Sequence, residues 1–504
     1  MPLNNATGWR ARGIAFCAGA VIGLAQAPFD FPWLLFLAIP VLFLLTSTND
    51  TTRRRIWHGF GIGWWAGFGY FTLTLHWIVE PFLVDVARTG WMAPFALALK
   101  AGGHALFWGA AFGLARRMAP GPGIGAALAL AGFWTLAEFG RSTIMTGFPW
   151  ALIAYGWVET PILSAAAILG PHGLGAVTVF AALLPVVGGR VQLAGVAACV
   201  GLIFALVIGS TFSAPKSMAT ATTVLRLVQP NAEQRLKWDP EWVPVFFNRM
   251  LAATQAPGNI DAVIWPEVAV PYLLDERLDL NRRIASAKPG ATVIIGGRRV
   301  ERGDMLTWYN SMAVLAPDGS LAGLYDKHHL VPFGEYLPFP ALWDRFGLQA
   351  LAQHGGKFSG GGGPVTMAIN GLPPFQPLIC YEMIFPHEIQ RGADRPDWLL
   401  HLTNDAWFGS FSGPYQHLAQ ARFRAVEHGL PVVRVANTGI SAVIDPMGEI
   451  VASIPLNSNS YMDSALPAPL PPTIYARFGD FPTFIALALM ILGGIGLQRR
   501  AGRA

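Results

Sequence analysis

Three polar residues of reactive type stand where apolar runs end. Cys380 closes the run in FQPLICYEMIFPHE, Lys327 follows one in YDKHHLVPFGEYLPF, and Glu267 lies just past one in DAVIWPEVAVP. The proline before Glu267 cannot continue an interior strand ladder, so the acid falls at the edge of its strand. A thiol reacts as its thiolate and, at an ordinary pKa of about 8.5, needs activation. A carboxylate at Glu267 supplies a base for that proton, and an ammonium at Lys327 supplies positive charge for a developing oxyanion. Taken singly, the three read as a helix-capping acid, a solvated charge in a hairpin and a small core residue. Taken together, they have the layout of an active site, and a thiol nucleophile implies a covalent thioester and ping-pong kinetics. The other two cysteines, Cys17 and Cys199, lie inside long apolar segments, which argues against a disulfide framework.

Such a site needs strands beneath it that hold the three ends together. Short apolar runs bounded by turn residues predict strands at 223–228, 262–265, 291–296, 310–315, 320–326, 376–379, 398–403, 431–436 and 441–444. Helical spacing predicts helices at 242–256, 275–288, 385–391 and 415–428, which puts Cys380 at a strand-to-helix elbow. Pro317-Asp318-Gly319 and Pro446-Met447-Gly448 have the composition of hairpin turns. The expected fold of this block, residues 211–476, is α/β or α+β, with sheets sandwiched and helices outside. The glycines at 360–363 carry no phosphate-loop pattern, lacking the Lys and Ser/Thr that would follow.

The rest of the chain is of another kind. With 53% hydrophobic and 13% charged residues over 504 positions, the composition is that of a membrane protein with a soluble part. Apolar runs of spanning length occur at 11–27, 31–48, 57–79, 91–115, 123–139, 172–188, 192–210 and 481–497. They predict a transmembrane bundle of about eight helices, seven within residues 1–210 and one in 477–504. The first also resembles a signal peptide, but Pro28 and the immediate second run favour a retained helix. Arg10, Arg12, Arg53 to Arg55, Arg116, Arg117, Arg190, Arg499, Arg500 and Arg503 occupy every second loop. By the positive-inside rule both termini are then cytoplasmic and the soluble block is outside, in the periplasm of a bacterium. Between Thr220 and Leu470 there are 19 Lys and Arg against 23 Asp and Glu, net −4, which leaves +9 of the total +5 in the membrane parts. The basic excess is a topology signal, and nucleic acid is not an expected partner.

Within the apolar part, Glu138 and Arg141 stand one helical turn apart, either a functional pair or a plain i, i+3 ion pair. Lys100 is placed to snorkel or to touch a lipid phosphate. The aromatic segment 336–348 reads as a lipid-dipping lid or as core. No metal or other cofactor is expected: the soluble block shows no His/Cys/Asp cluster at ligand spacing, and His328 and His329 point to opposite faces if they extend a strand.

The three blocks WPE, YDKHHLVPFGEYLP and ICYE resemble the Glu-Lys-Cys signature of the nitrilase (carbon-nitrogen hydrolase) superfamily, and NDAWFG at 404–409 also fits. Hung between seven N-terminal helices and one C-terminal helix, with HWIVEPF at 76–82 and TGFPWALIAYGW at 146–157, the chain resembles the bacterial apolipoprotein N-acyltransferase family along essentially its whole length. The resemblance implies an α-β-β-α nitrilase-like domain on a multi-pass protein of the cytoplasmic membrane, monomeric by default. It implies transfer of an acyl chain from a phospholipid, typically phosphatidylethanolamine, to the N-terminal amine of a diacylglyceryl-cysteine in an apolipoprotein. Glu267, Lys327 and Cys380 match the triad, with Lys327 and the backbone N–H of Tyr381 as oxyanion hole. Glu335 in PFGEY resembles a second essential glutamate that holds Lys327 charged, or forms a loop salt bridge. Tyr381 and Glu382 are placed to shape the thiol's surroundings. Trp238 in LKWDP resembles an entrance tryptophan on a mobile arm, or packs plainly. Asn231 reads as a turn residue. A membrane-tethered amidase or nitrilase-type hydrolase would carry the same triad, differing only in whether water or an amine resolves the thioester.

Overall fold

A computed structural model describes residues 8–46, 52–187, 223–339 and 358–501, with isolated positions 194, 195, 197, 198, 201 and 345 between them. Most of the predicted span 192–210 and much of the aromatic segment 336–348 lie outside the described residues. The chain forms two compact units: Met1–Pro215 with Phe411–Glu427 and Pro472–Ala504, and Lys216–Ser410 with His428–Pro471.

The first unit is helical. Helices Gly8–Gly23, Leu35–Thr46, Thr52–Thr74, Ala93–Met118, Ile124–Thr143, Ala166–Leu183 and Phe481–Ala501 fall on seven of the apolar runs. Among the described residues, Pro161–Val186 and Phe481–Arg500 are each long and apolar enough to cross a membrane, and the bent pair His76–Leu83 with Val86–Met118 adds a third if it acts as one span. Small residues bring the helices close: a Cβ on Gly19 would fall 1.8 Å from the Ala66 carbonyl oxygen, and one on Gly69 2.1 Å from that of Phe16, the close approach that membrane-type helix pairs use. Glu138 and Arg141 are buried, and their ion pair of 2.6 Å is one part of a larger network. Helix Gly413–His428, expected with the soluble block, contributes Ala419, Phe423 and Val426 to the core of this unit beside Leu152 and Tyr155.

The second unit is built on two sheets. Strands β1 (Val224–Gln229), β2 (Ala262–Ile264), β3 (Thr292–Arg302), β4 (Leu306–Leu315), β5 (Leu321–Asp326), β6 (Phe375–Ile379), β7 (Trp398–Thr403), β8 (Val432–Ala436), β9 (Ser441–Ile444), β10 (Ile450–Ile454) and β11 (Ser460–Ala465) are ordered β11-β1-β2-β3-β4-β5 and β10-β9-β8-β7-β6. The β1-β2-β3 and β6-β7-β8 pairings are parallel. Alternation along the strands divides the side chains between two cores. Leu225, Ile264, Ile294 and Met312 meet Ile379, Leu400 and Val433 between the sheets. Val263, Trp265, Val293 and Ala313 face the other way, onto Phe247 and Met250 of helix Val243–Gln255 and Ile284 of helix Leu278–Ala285. Both hairpin turns join antiparallel neighbours, β4 to β5 and β9 to β10.

Candidate active site

Lys327 and Cys380 sit immediately beyond a sheet strand, and Glu267 lies three positions past the end of one. After β2 the chain stays beside β3, with the Trp265 amide bonded to the Ile294 carbonyl at 2.9 Å, and turns at Pro266. Gly296 lets the turn lie flat: a Cβ there would meet the Pro266 oxygen at 2.4 Å and the Glu267 Cα at 2.7 Å. Lys327 follows β5, its amide bonded to the Asn310 carbonyl at 2.8 Å. Cys380 follows β6 with φ of 51°, in the left-handed region that costs a side-chain-bearing residue energy and marks functional sites. The elbow leads into a 3-10 turn, Cys380–Ile384, and a second, Pro386–Glu388. The α-helix expected at 385–391 is absent there, because Pro386 opens a new turn and Gly392, at φ of 66°, bends the chain soon after.

All three are buried, at 7%, 1% and 7% exposure for Glu267, Lys327 and Cys380. Burial raises the thiol pKa and the Glu267 charge raises it further, while Lys327 and a hydrogen bond from Thr403 oppose this. Burial also raises the Glu267 carboxyl, against the pull of the Lys327 ammonium. Lys327 behaves oppositely. Burial would lower its pKa, but the charges of Glu335, the thiolate form of Cys380 and Glu267 overcome this and raise it, so the ammonium is held charged. Its Nζ lies 2.9 Å from Oε1 and 2.8 Å from Oε2 of Glu335, and the other face of that carboxylate accepts the Val331 amide at 2.8 Å.

Glu382 ties the nucleophile turn to the lysine loop. Wholly buried, it accepts the Ile379 amide at 2.6 Å, the His328 and His329 amides at 2.8 and 3.2 Å, and the Tyr325 hydroxyl at 2.8 Å. The Tyr381 ring packs edge-on against His329 and Phe385. Trp238, 43% exposed, lines a surface cleft with Glu267. Asn231, at φ of 51°, donates to the Asn457 carbonyl as a turn residue does.

The structure corrects the reading of His328 and His329. The strand ends at Asp326, so the alternation of a strand does not apply, and both rings reach Glu388, at 3.0 and 2.5 Å. The three groups lie within 4.8 Å of one another, at ligand spacing after all. His328 Nδ1 is also 2.6 Å from Glu382, so Glu382, His328, Glu388 and His329 form one continuous run of acid–imidazole contacts. Burial alone would lower the His328 pKa, but its bonds to Glu382 and Glu388 carry it up to about 10.

Several residues here were not picked out from sequence. Asn310 in β4 donates its amide to Glu267 at 2.8 Å and to Glu335 at 3.1 Å, bridging the two acids; a lone Asn inside an apolar strand was its signal. Behind the thiol, Arg434 in β8 pairs with Asp405 and donates to His401 Nδ1 at 2.9 Å. That leaves the His401 Nε2–H to donate to the Cys380 carbonyl at 3.1 Å. Asp405 in turn accepts from Thr403 at 2.9 Å.

Residues 18–184 match the family model "Apolipoprotein N-acyltransferase N-terminal domain", and residues 214–469 match "Carbon-nitrogen hydrolase". A Bradyrhizobium diazoefficiens apolipoprotein N-acyltransferase is 40% identical over 98% of this chain and 96% of its own. One from Rhodopseudomonas palustris is 38% identical over 97% and 95%. Among solved structures, a CN-hydrolase superfamily protein from Xanthomonas campestris aligns with 53% of this chain and 97% of its own at 21% identity and a TM-score of 0.35. With both halves matched and relatives this similar end to end, the chain belongs to the apolipoprotein N-acyltransferase family.

Proposed function

We propose that the protein takes a fatty acyl chain from a phospholipid, with phosphatidylethanolamine as donor, and transfers it through a Cys380 thioester to the N-terminal α-amine of S-diacylglyceryl-cysteine in apolipoproteins. The observation that carries the reading is the convergence of a left-handed Cys380 with Glu267 and a charged Lys327 in one buried site.

At rest the proton stays on sulfur, since burial and the Glu267 charge disfavour the thiolate. When an ester carbonyl enters, Glu267 takes the thiol proton as sulfur attacks carbon, and the Lys327 ammonium with the Tyr381 N–H receives the oxyanion. The ester C–O bond then breaks, Glu267 returns the proton to the leaving oxygen, and lysophospholipid departs. The acceptor amine attacks the thioester carbonyl and yields its proton to Glu267. The C–S bond breaks, an amide forms and the thiol is regenerated. Glu335 and Asn310 hold Lys327 and Glu267 in position, and Glu382 sets the turn on which Cys380 rides.

The apolar helices and the arginine-rich loops support a multi-pass protein of the bacterial cytoplasmic membrane, with eight spans, cytoplasmic termini and the catalytic domain in the periplasm. A single chain carries the whole triad, and we take the working form as a monomer.

The test is product analysis with the full-length protein in micelles of phosphatidylethanolamine and a diacylated lipopeptide. Triacylated lipopeptide and lysophospholipid in equal amounts are expected. Free fatty acid with no triacylated product would make the protein a hydrolase.

A further inference from the structure

Buried cations in the second unit are generally neutralised. Arg226 pairs with Asp463 at 2.6 Å, Arg299 with Asp326 at 2.5 Å, Lys327 with Glu335, and Arg434 with Asp405. Lys237 and Arg298 break this pattern. Lys237 is only 8% exposed, yet among the described residues its ammonium has one hydrogen bond, a long one of 3.5 Å to the Glu267 backbone carbonyl. Arg298 has no carboxylate partner among the described residues, and its Nε is buried without an acceptor. Both stand over the same indole, Lys237 Nζ at 5.7 Å and Arg298 Cζ at 4.5 Å from the centre of the Trp238 ring.

Two like charges gathered at one aromatic ring repel each other, and a buried ammonium with no carboxylate in hydrogen-bond contact is costly. Burial brings the Lys237 pKa down to about 8 against the pull of the Glu267 charge, and Arg298 pushes it the same way as burial. An anion that reached both cations would offset that repulsion. Lys237 and Trp238 line an open surface cleft whose wall includes Glu267 and the apolar Val243 and Phe246. The charge on Lys237 is felt at both Glu267 and Cys380. An anion here would therefore lie beside the reacting groups, against an apolar wall suited to a glycerol backbone.

We infer that Lys237 and Arg298 form a cradle for a phosphate oxyanion, that of the acyl-donor lipid, which lies a few bonds from the scissile ester. A planar guanidinium and a point-like ammonium are complementary phosphate donors, and both stand over the Trp238 ring, which lines the same cleft as Glu267. The inference rests on the phospholipid-donor reading above.

The test uses full-length protein in neutral detergent and compares acylation of Cys380 by phosphatidylethanolamine with acylation by p-nitrophenyl palmitate, an ester without phosphate. For Lys237→Gln and for Arg298→Gln, the ratio of kcat/KM between the two donors is expected to fall about tenfold or more, chiefly through KM, and Lys237→Arg is expected to keep most of it. Taking the ratio cancels any general effect of the lost charge on Glu267 or on folding. Equal losses on both donors, or no loss on either, would overturn the cradle. If the ratio stays fixed while inorganic phosphate inhibits the wild type but not the variants, the site takes free phosphate and the lipid assignment is overturned. A wild type that reacts with the nitrophenyl ester but never with phosphatidylethanolamine would instead sink the donor reading itself.

Discussion

Two buried ionic clusters, one in each unit, use the same residue types to opposite effect. In the helical unit, Arg141 donates to both Glu138 oxygens, at 2.6 and 3.4 Å, and to the carbonyls of Phe148 and Trp150, each at 2.7 Å, while Trp108 supplies a further donor to Glu138 at 2.6 Å. Glu138 and Arg141 there complement each other, with further partners on both sides. In the sheet unit, the Glu267 carboxylate has Asn310 as its sole hydrogen-bond donor among the described residues, and the buried Asn310 Oδ1 has no partner among them. The neighbouring nucleophile sits on a left-handed backbone. A buried charge that is saturated holds a fold together; one left partly unsatisfied is available for chemistry.

Substitutions that strip each cluster should therefore separate activity from stability. The largest effect is expected for Cys380→Ala, which loses about 10⁴-fold or more in turnover yet melts like the wild type; Cys380→Ser should fail as well, and product formation by either would remove Cys380 from the mechanism. Glu138→Ala should do the reverse. Leaving Arg141 buried and unpaired costs about 3–5 kcal/mol of stability, read as a lowered melting temperature in detergent, while the protein that remains folded keeps its kcat. A loss of kcat at unchanged stability would make Glu138 a functional residue.

Lys327→Met should lower kcat by about 10²–10³-fold, the range for removal of an oxyanion donor, with little change in KM. Glu335→Gln is milder and shows in the pH profile. Glu335 is the largest of the charges that raise the Lys327 pKa, and the ammonium is lost as pH rises through that pKa. Without Glu335, the alkaline fall in kcat/KM should therefore move to lower pH; a limb that stays in place would detach Glu335 from Lys327. The smallest effect concerns His328. Its pKa rises from 6.5 to about 10 on folding, so its contribution to stability is full below 6.5 and disappears as pH climbs toward 10. Melting curves of His328→Gln should fall less steeply over that window than those of the wild type.

Much of this arrangement is written in the sequence, because the residues concerned interrupt strong patterns. Glu267, Lys327 and Cys380 follow apolar strands whose bounds differ from the predicted ones by a few residues, and Trp398–Thr403 and Ser441–Ile444 coincide with them. What stayed hidden depends on partners far away in the chain. β11, SYMDSA, is too polar to read as a strand until β1 pairs with it, and β10, IVASI, is mostly exposed. Asn310 shows as a polar break in β4, but its two carboxylate partners lie 43 positions before it and 25 after. Strand alternation does not reach His328 and His329, because β5 ends at Asp326, one residue before Lys327. Lys237 in LKWDP has the look of an ordinary solvated lysine, and only the fold buries it and brings Arg298 to the same indole.

The most direct measurement is the intact mass of the purified protein after incubation with isotope-labelled phosphatidylethanolamine and no acceptor. One labelled acyl chain on the peptide containing Cys380 is expected, absent in Cys380→Ala, and discharged as triacylated product once diacylated lipopeptide is added. Transfer to the lipopeptide with no acyl adduct ever detectable on Cys380, even under rapid quench, would contradict the thioester account.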